Sequence, residues 1–280
     1  MARFIVGVIF ASIFGAAGFG LILTAAIAFE GALQGALLGV GFALFLLVLP
    51  FFLLFSLRAK PKYEKALYSL LAPLLLESSR YESLSFLSKK EAFASIGRFS
   101  RALGRSLDSE GHSAFTGTIK GISFFTALAE SEMGVSKTTK RNTGISVRLI
   151  EYRMPKPFAT DVLVRAKVVL PVFKKINLKE KIATESIAFD NRYEAFAKDS
   201  FQGRLLLTPV RIDGIVSLNR EMEGFVNVYF HEDSVLVFFE RYESPFHLGL
   251  TRKVDEAFLQ AFRRELLIPY RVFKALDLSS

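Results

Sequence analysis

The hydrophobic pattern changes character twice along the chain. Residues 4 to 57 run for 54 positions with one charged residue, Glu30. A helix rises about 1.5 Å per residue, so a single helix of that length would far overshoot a hydrocarbon core of roughly 30 Å. The stretch therefore predicts two spans, "FIVGVIFASIFGAAGFGLILTAAIAF" at about 4–29 and "ALQGALLGVGFALFLLVLPFFLLFSL" at about 32–57. Glu30 belongs at the turn between them, because a carboxylate at the centre of an inserted helix costs about 2.5–3.5 kcal/mol. A cleaved signal peptide is the rival reading of the first stretch, but the apolar run is long for one and only Arg3 marks a basic leader.

Small residues recur every four positions on both spans: Gly7, Ala11 and Gly15 on the first, Gly31, Gly35, Gly39 and Ala43 on the second. That spacing lets helix backbones approach closely, either within the hairpin or in a homo-oligomer through the same stripes. Arg3 precedes the hairpin and Arg58, Lys60, Lys62 and Lys65 follow it, while the turn has no Lys or Arg. By the positive-inside rule this predicts a multi-pass protein of the cytoplasmic (inner) membrane with both ends cytoplasmic.

From Pro61 the pattern becomes amphipathic. "PKYEKALYSLLAPLLLESSR" predicts a helix with Tyr63, Leu67, Leu70, Leu71 and Leu74 along one face and a kink at Pro73. Ser88 followed by Glu91 forms a capping box, which predicts a helix over 89–103 with Gly104 as its C-terminal cap. Phe93, Ile96, Phe99 and Leu103 would share one side of it, with Arg98, Arg101 and Arg105 nearly opposite. Such a charged side is ordinarily a solvated face; the alternative is contact with anionic lipid or an acidic partner.

After residue 113 the period shortens to that of strands. "SAFTGTIKGISFFTALAESEM" and "GISVRLIEYRMPKPFATDVLVRAKVVLP" predict several antiparallel strands, with "GVSKTTKRNTG" between them as an exposed loop bearing Lys137, Lys140 and Arg141. "FVNVYF" and "SVLVFFE" joined by "HED" predict a hairpin. "LLLTP" reads as a strand leading to a helix capped by Thr208 with Pro209 behind it. "TRKVDEAFLQAFRRELLIPY" predicts a closing helix with Thr251 as N-cap, Val254, Phe258, Ala261 and Phe262 as its buried stripe, and Pro269 as its stop. Helices, then strands, then mixed elements indicate an α+β fold with antiparallel sheet and flanking helices. The expected division is a transmembrane hairpin at 1–58, juxtamembrane and amphipathic helices at 59–112, and a cytosolic α+β domain at 113–280.

Charge refines this picture. The chain carries 36 Lys plus Arg against 27 Asp plus Glu, a formal +9. The balance is +5 over residues 58–120 (11 against 6), +7 over 121–184 (12 against 5) and −3 over 185–280 (12 against 15), the hairpin being neutral. A basic excess next to the hairpin suits an anionic leaflet, where each nearby Lys or Arg adds about 1 kcal/mol of attraction. Nucleic acid would use the same charge, yet no recognition motif or basic repeat with interleaved aromatics accompanies it.

No catalytic, cofactor or metal site stands out in the pattern. The chain has no Cys, which removes disulfides, thiolate ligation and Cys nucleophiles. Its three His residues, His112, His231 and His247, lack metal-ligand neighbours at useful spacing, and His231, Glu232 and Asp233 fall at the hairpin tip as turn residues. "GTIKG" lacks the Lys-Ser/Thr end of a phosphate loop. Scattered carboxylates such as Glu185, Asp190 and Glu194 read as surface, while Phe189, Tyr193 and Phe196 are spaced for a buried face.

"GTIKGISFFTALAESEM", with its Gly-rich strand and Glu130, and "ESIAFDNRYEAFAKDSFQGRLLLTPVRIDGIVSL" leading to "FVNVYFHEDSVLVFF" resemble an uncharacterised bacterial membrane-protein family, a domain of unknown function with two N-terminal spans and a cytosolic domain. The resemblance covers about residues 60–250. It implies a membrane protein partner of the LemA type, whose members are often encoded nearby, and supplies no catalytic or binding residues. The expectation is a membrane-anchored interaction or regulatory module. Arg98, Arg101, Arg105, Lys137, Lys140 and Arg141 are its candidate lipid or partner contacts. An enzyme acting on a membrane-associated substrate and an anionic-lipid head-group module are the alternatives.

Overall fold

A computed structural model describes residues 66–74, 80–103, 108–109, 114–135, 142–167, 176, 178–222, 226–240 and 255–279, together with Ile22 and Val40. The chain divides into two units, Met1–Ala66 and Leu67–Ser280. Among the described residues no helix is long and apolar enough to cross a membrane. The spans expected at 4–29 and 32–57 lie outside them, save Ile22 and Val40, both helical.

The second unit is built on a ten-stranded antiparallel sheet. In chain order it comprises α1 (66–74), β1 (Ser83–Phe86), α2 (Lys89–Leu103), β2 (Asp108–Ser109), β3 (Phe115–Ile119), β4 (Ile122–Val135), β5 (Asn142–Arg153), β6 (Val162–Ala166) and β7 (Glu180–Ile182). Then follow α3 (Ile187–Asp190), β8 (Tyr193–Ala197), α4 (Ser200–Leu206), α5 (Pro209–Glu221), β9 (Val226–His231), β10 (Ser234–Glu240) and α6 (Glu256–Ala275). The strands lie in the order β1-β3-β4-β5-β10-β9-β6-β8-β7, with β2 beside β4.

Alternation along the strands sorts their side chains onto two faces. One carries Phe115, Ile119, Phe124, Ile150, Tyr152, Val164, Ala195, Val228, Phe230, Val237 and Phe239, and joins Tyr68 of α1, Phe189 of α3 and the buried sides of α5 and α6 in the larger core. The other carries Phe125, Ala127, Val147, Leu149, Leu163, Tyr229, Leu236 and Phe238, and is covered by Ala92, Ile96 and Phe99 of α2, with Ile176 and Leu178 packed alongside. A sheet buried on both faces explains why β9 and β10 read as nearly continuous apolar runs.

Local chemistry sets the element ends. Ser88 and Glu91 form the expected capping box: the Ser88 amide donates to the Glu91 carboxylate at 2.7 Å, and the Glu91 amide donates to Ser88 Oγ at 3.4 Å. The expected C-terminal cap of that helix, Gly104, lies outside the described residues. The β3–β4 turn puts Lys120 (φ 49°) and Gly121 (φ 76°) in the left-handed region that a two-residue hairpin turn requires. Gly121 donates its amide to the Glu82 carboxylate. Thr208 caps α5, with Pro209 at its start as expected. The β4 and β5 strands extend through Val135 and from Asn142, into both ends of the segment expected as a loop.

Four expectations are corrected. "LLLTP" is not strand: Asp199 accepts from the amides of Phe201 and Gln202 and nucleates α4, which the Leu run completes. Thr251 is not the N-cap of the closing helix; Asp255 is, accepting from the Phe258 amide, so Val254 falls before the cap. Pro269 does not stop that helix, which runs on to Ala275. The apolar stripes expected on α1 and α2 are rotated. On α1, Tyr68 and Ala72 are buried while Leu70 and Leu74 face out; on α2, Ala92, Ile96 and Phe99 make the seam and Phe93 is exposed.

Proline normally breaks a helix because it lacks an N–H and crowds the preceding turn. In α6 the gap is filled from outside. The Tyr81 hydroxyl donates to the Leu266 carbonyl and accepts from the Tyr270 amide at 3.3 Å. It thus sits between two groups that a regular helix would join directly. The Tyr152 hydroxyl, from β5, donates to the Pro269 carbonyl at 2.6 Å.

Candidate functional site

The described polar residues of the second unit gather in three places. The first is the end of the sheet face opposite the larger core. There the β9–β10 turn holds Glu232 in the left-handed region (φ 51°), and the amides of Met154 and Phe158 donate to the carbonyls of Asp233 and Glu232. His231 Nδ1 lies 3.1 Å from an Asp161 carboxylate oxygen and 3.3 Å from the Tyr229 hydroxyl, its ring stacked on that of Tyr229 at 5.1 Å. Burial, followed by the negative charges of Asp161 and Glu232, pushes the Tyr229 phenol up to about 12.

Beside this group, Arg153 bridges the carboxylates of Glu151 (3.0 Å) and Asp233 (3.4 Å), and the Ser234 hydroxyl donates to Asp233 at 3.2 Å. Ser234 pairs with His231 across the hairpin, yet its hydroxyl is engaged by carboxylates rather than by the imidazole. Activation of a serine by a neighbouring base requires that second contact. The arrangement ties the turn to its neighbouring strands through paired side chains.

The second place is the edge formed by β6, β7 and β8. Glu194 receives Arg165 at 3.0 Å and Lys181 at 3.1 Å, and Arg165 also lies over the Phe196 ring at 4.5 Å. Hydrogen bonds from these two cations hold the Glu194 carboxyl below its ordinary range. Towards β9, the β6–β9 ladder runs only from Val162 to Val164, and Asn227 Oδ1 accepts from the Ala166 amide at 2.8 Å where the strands part.

The third lies inside the larger core. Arg148 of β5 and Glu265 of α6 form an ion pair with both side chains fully buried. Across the strands Arg148 is flanked by Leu128 and Phe239, and its pairing with Glu265 joins sheet to helix. At the C-terminal end of α6, Arg211 of α5 donates to the carbonyls of Leu206, Leu276 and Asp277, satisfying the ends of α4 and α6.

Large apolar side chains point outward on three successive helices: Ile187 of α3, Phe201 and Leu205 of α4, and Val210 of α5. On α4 the cause is geometric. Gly203 faces the sheet so closely that a Cβ there would lie 2.6 Å from Ile182 Cδ1 and 2.8 Å from Ala197 Cβ, and this contact turns Phe201 and Leu205 away.

Of the six candidate contact residues, Arg98 and Arg101 fall on α2, and their side chains lie outside the described residues, as do Arg105, Lys137, Lys140 and Arg141 altogether. Among the described residues no group of three or more His, Asp or Glu could hold a metal ion. The residues missed at sequence level are Arg148, Glu265, Tyr81 and Asp161, each of which gains its role from a partner far away in the chain. A Glu amid the apolar stripe of a core-facing helix is the available signal for the buried pair.

Fold and site together define an α+β domain whose central strands are buried on both faces and whose polar clusters are paired among themselves. Residues 148–278, just under half of the chain, match the family described as "Protein of unknown function (DUF3137)". The match begins in β5 and runs past the end of α6, so it takes in the second stretch on which the resemblance rests and leaves out "GTIKGISFFTALAESEM". No curated protein and no solved structure matches the chain.

Proposed function

We propose that the chain is a membrane-anchored interaction module of the cytoplasmic membrane. In this reading the apolar run at 4–57 holds it in the bilayer as a hairpin with both ends cytoplasmic, and the folded unit engages a membrane protein partner. The observation that carries the interaction reading is the outward set Ile187, Phe201, Leu205 and Val210, exposed by 60 to 79%. Solvent-facing Leu and Phe at i and i+4 on one short helix leave apolar area that a partner surface would remove from water. The charged groups of the sheet face, in contrast, are committed to one another. A LemA-type partner follows from the family resemblance and from nothing in the geometry.

Affinity purification of the full chain from native membranes tests the reading. Proteins that accompany the wild type and are lost with the double variant Phe201→Asp/Leu205→Asp support it, provided that variant retains the wild-type circular dichroism. An unchanged set of companions refutes the assignment of this surface. Topology is tested separately, since a chain without Cys permits single-cysteine labelling at Leu33→Cys and Thr139→Cys. Labelling of position 139 from outside intact cells would overturn the orientation.

A further inference from the structure

The rotated stripe on α1 leaves this helix with two apolar sides. Tyr68, stacked on Phe262 at 5.1 Å and tilted against Phe86 at 5.5 Å, anchors one side in the larger core together with Ala72. Leu70 and Leu74 lie on the other, 68% and 81% exposed. Each is two positions beyond a buried residue, about 200° around the helix, so the two leucines form a row nearly opposite the buried one. A solvent-facing pair of leucines gains nothing for the fold, and the domain's own core already occupies the helix's inner side.

The covalent chain indicates what covers this row. The uncharged run ends at Leu57, and only residues 58–65 separate it from α1. Eight residues span at most about 29 Å when fully extended and about 12 Å as a helix. Four of those eight residues are cationic, Arg58, Lys60, Lys62 and Lys65, a composition suited to anionic head groups. An apolar row on a helix that begins within such reach of a bilayer-spanning segment, with a basic linker before it, is placed to enter the boundary between head groups and acyl chains.

We propose that Leu70 and Leu74 insert into the lipid interface, making α1 a shallow membrane contact through which the bilayer sets the tilt of the folded unit. This rests on the anchored reading above and adds to it a second point of attachment, through which a change in lipid packing would be felt by the core at Tyr68.

The chain contains no Trp, so a single introduced indole reports without background. The test uses full-length Leu74→Trp, with Leu70→Trp as an independent second site, reconstituted at high lipid-to-protein ratio into phosphatidylcholine and phosphatidylglycerol vesicles. Phe45→Trp, within the apolar run, serves as the anchor control. The expected result is a blue-shifted emission at 74 and 70, quenched by acyl-brominated lipid and shielded from aqueous acrylamide. Emission at both sites that acrylamide quenches and brominated lipid does not would overturn the proposal. Shielding from both quenchers would overturn it too, since it would mean that protein covers the row. A Phe45→Trp control that brominated lipid fails to quench would refute the anchor itself, whereas a quenched control with unquenched 70 and 74 would refute only the insertion of α1.

Discussion

Removing one member of the Arg148–Glu265 pair should cost far more than removing both. Both side chains are fully buried, between β5 and α6, with Leu128 and Phe239 flanking the guanidinium across the strands. Deleting one partner leaves the other's buried charge without its ion-pair partner, which costs about 3–5 kcal/mol, whereas replacing both by apolar residues of similar volume is commonly near neutral. Arg148→Met and Glu265→Leu alone should therefore each remove a large part of a total stability that for domains is about 5–15 kcal/mol.

With a urea m-value of about 3 kcal/mol/M for a unit of this size, each single change should lower the midpoint by about 1–1.7 M. The double variant should recover most of that loss, giving a coupling energy of at least about 3 kcal/mol. Urea titration of the full chain in mild detergent, followed by near-ultraviolet circular dichroism, measures all four corners of the cycle. Single effects that add within about 0.5 kcal/mol in the double variant would show that the two charges do not depend on each other, and would refute the account.

Other substitutions probe the α6 supports and the sheet. Tyr81→Phe removes the hydroxyl set between the Leu266 carbonyl and the Tyr270 amide. It should cost about 1–3 kcal/mol in the same titration, with amide exchange at Tyr270 accelerating more than at Phe258. Gly214→Ala would drive a Cβ into the Ala275 carbonyl group, far inside van der Waals contact. Forcing α5 and α6 apart in this way should cost about 1–3 kcal/mol, readable as a lowered thermal midpoint. Burial raises the phenols of Tyr81, Tyr152, Tyr193 and Tyr229, so the unfolded chain should ionise them first as the pH passes their ordinary value of 10.0. Their stabilisation is fully present below that ordinary value and is lost as the pH climbs toward their folded values. Phenolate absorbance should then show a cooperative step coincident with loss of circular dichroism, and a smooth independent titration would contradict the burial.

What can be read from the chain alone is local. The Ser88–Glu91 box, the Thr208–Pro209 start of α5 and the β9–β10 hairpin depend on residues close together in the chain, and each forms where its spacing puts it. Pro269 misleads because a proline ends a helix only when its neighbours' freed backbone groups go unsatisfied. Here Tyr81, 185 residues distant from the Leu266 carbonyl it serves, takes the place of the opened bond, and Tyr152, 117 residues away, ties the Pro269 carbonyl to the sheet. The Leu run at 205–207 misleads for a related reason: its apolarity fits a strand, and the Asp199 cap and the close seat of Gly203 against β7 and β8 decide for helix. Glu265 stands out only by falling within an apolar stripe, and Arg148 looks like a surface charge until the register of β5 and the rotation of α6 bring the two together.

The position of α6 in the chain bears on how the protein is made. All ten described strands leave the ribosome before it. Synthesis from Glu240 to Ala275 takes roughly 2–7 s, at a rate of about 5–20 residues per second. During that interval α1, α3 and α5 can cover only their own part of the larger apolar face, and the strip that α6 seals stays open. A nascent chain in that condition is a natural client for holding chaperones, and any delay in translating this stretch lengthens the time in which strand edges can find the wrong neighbour.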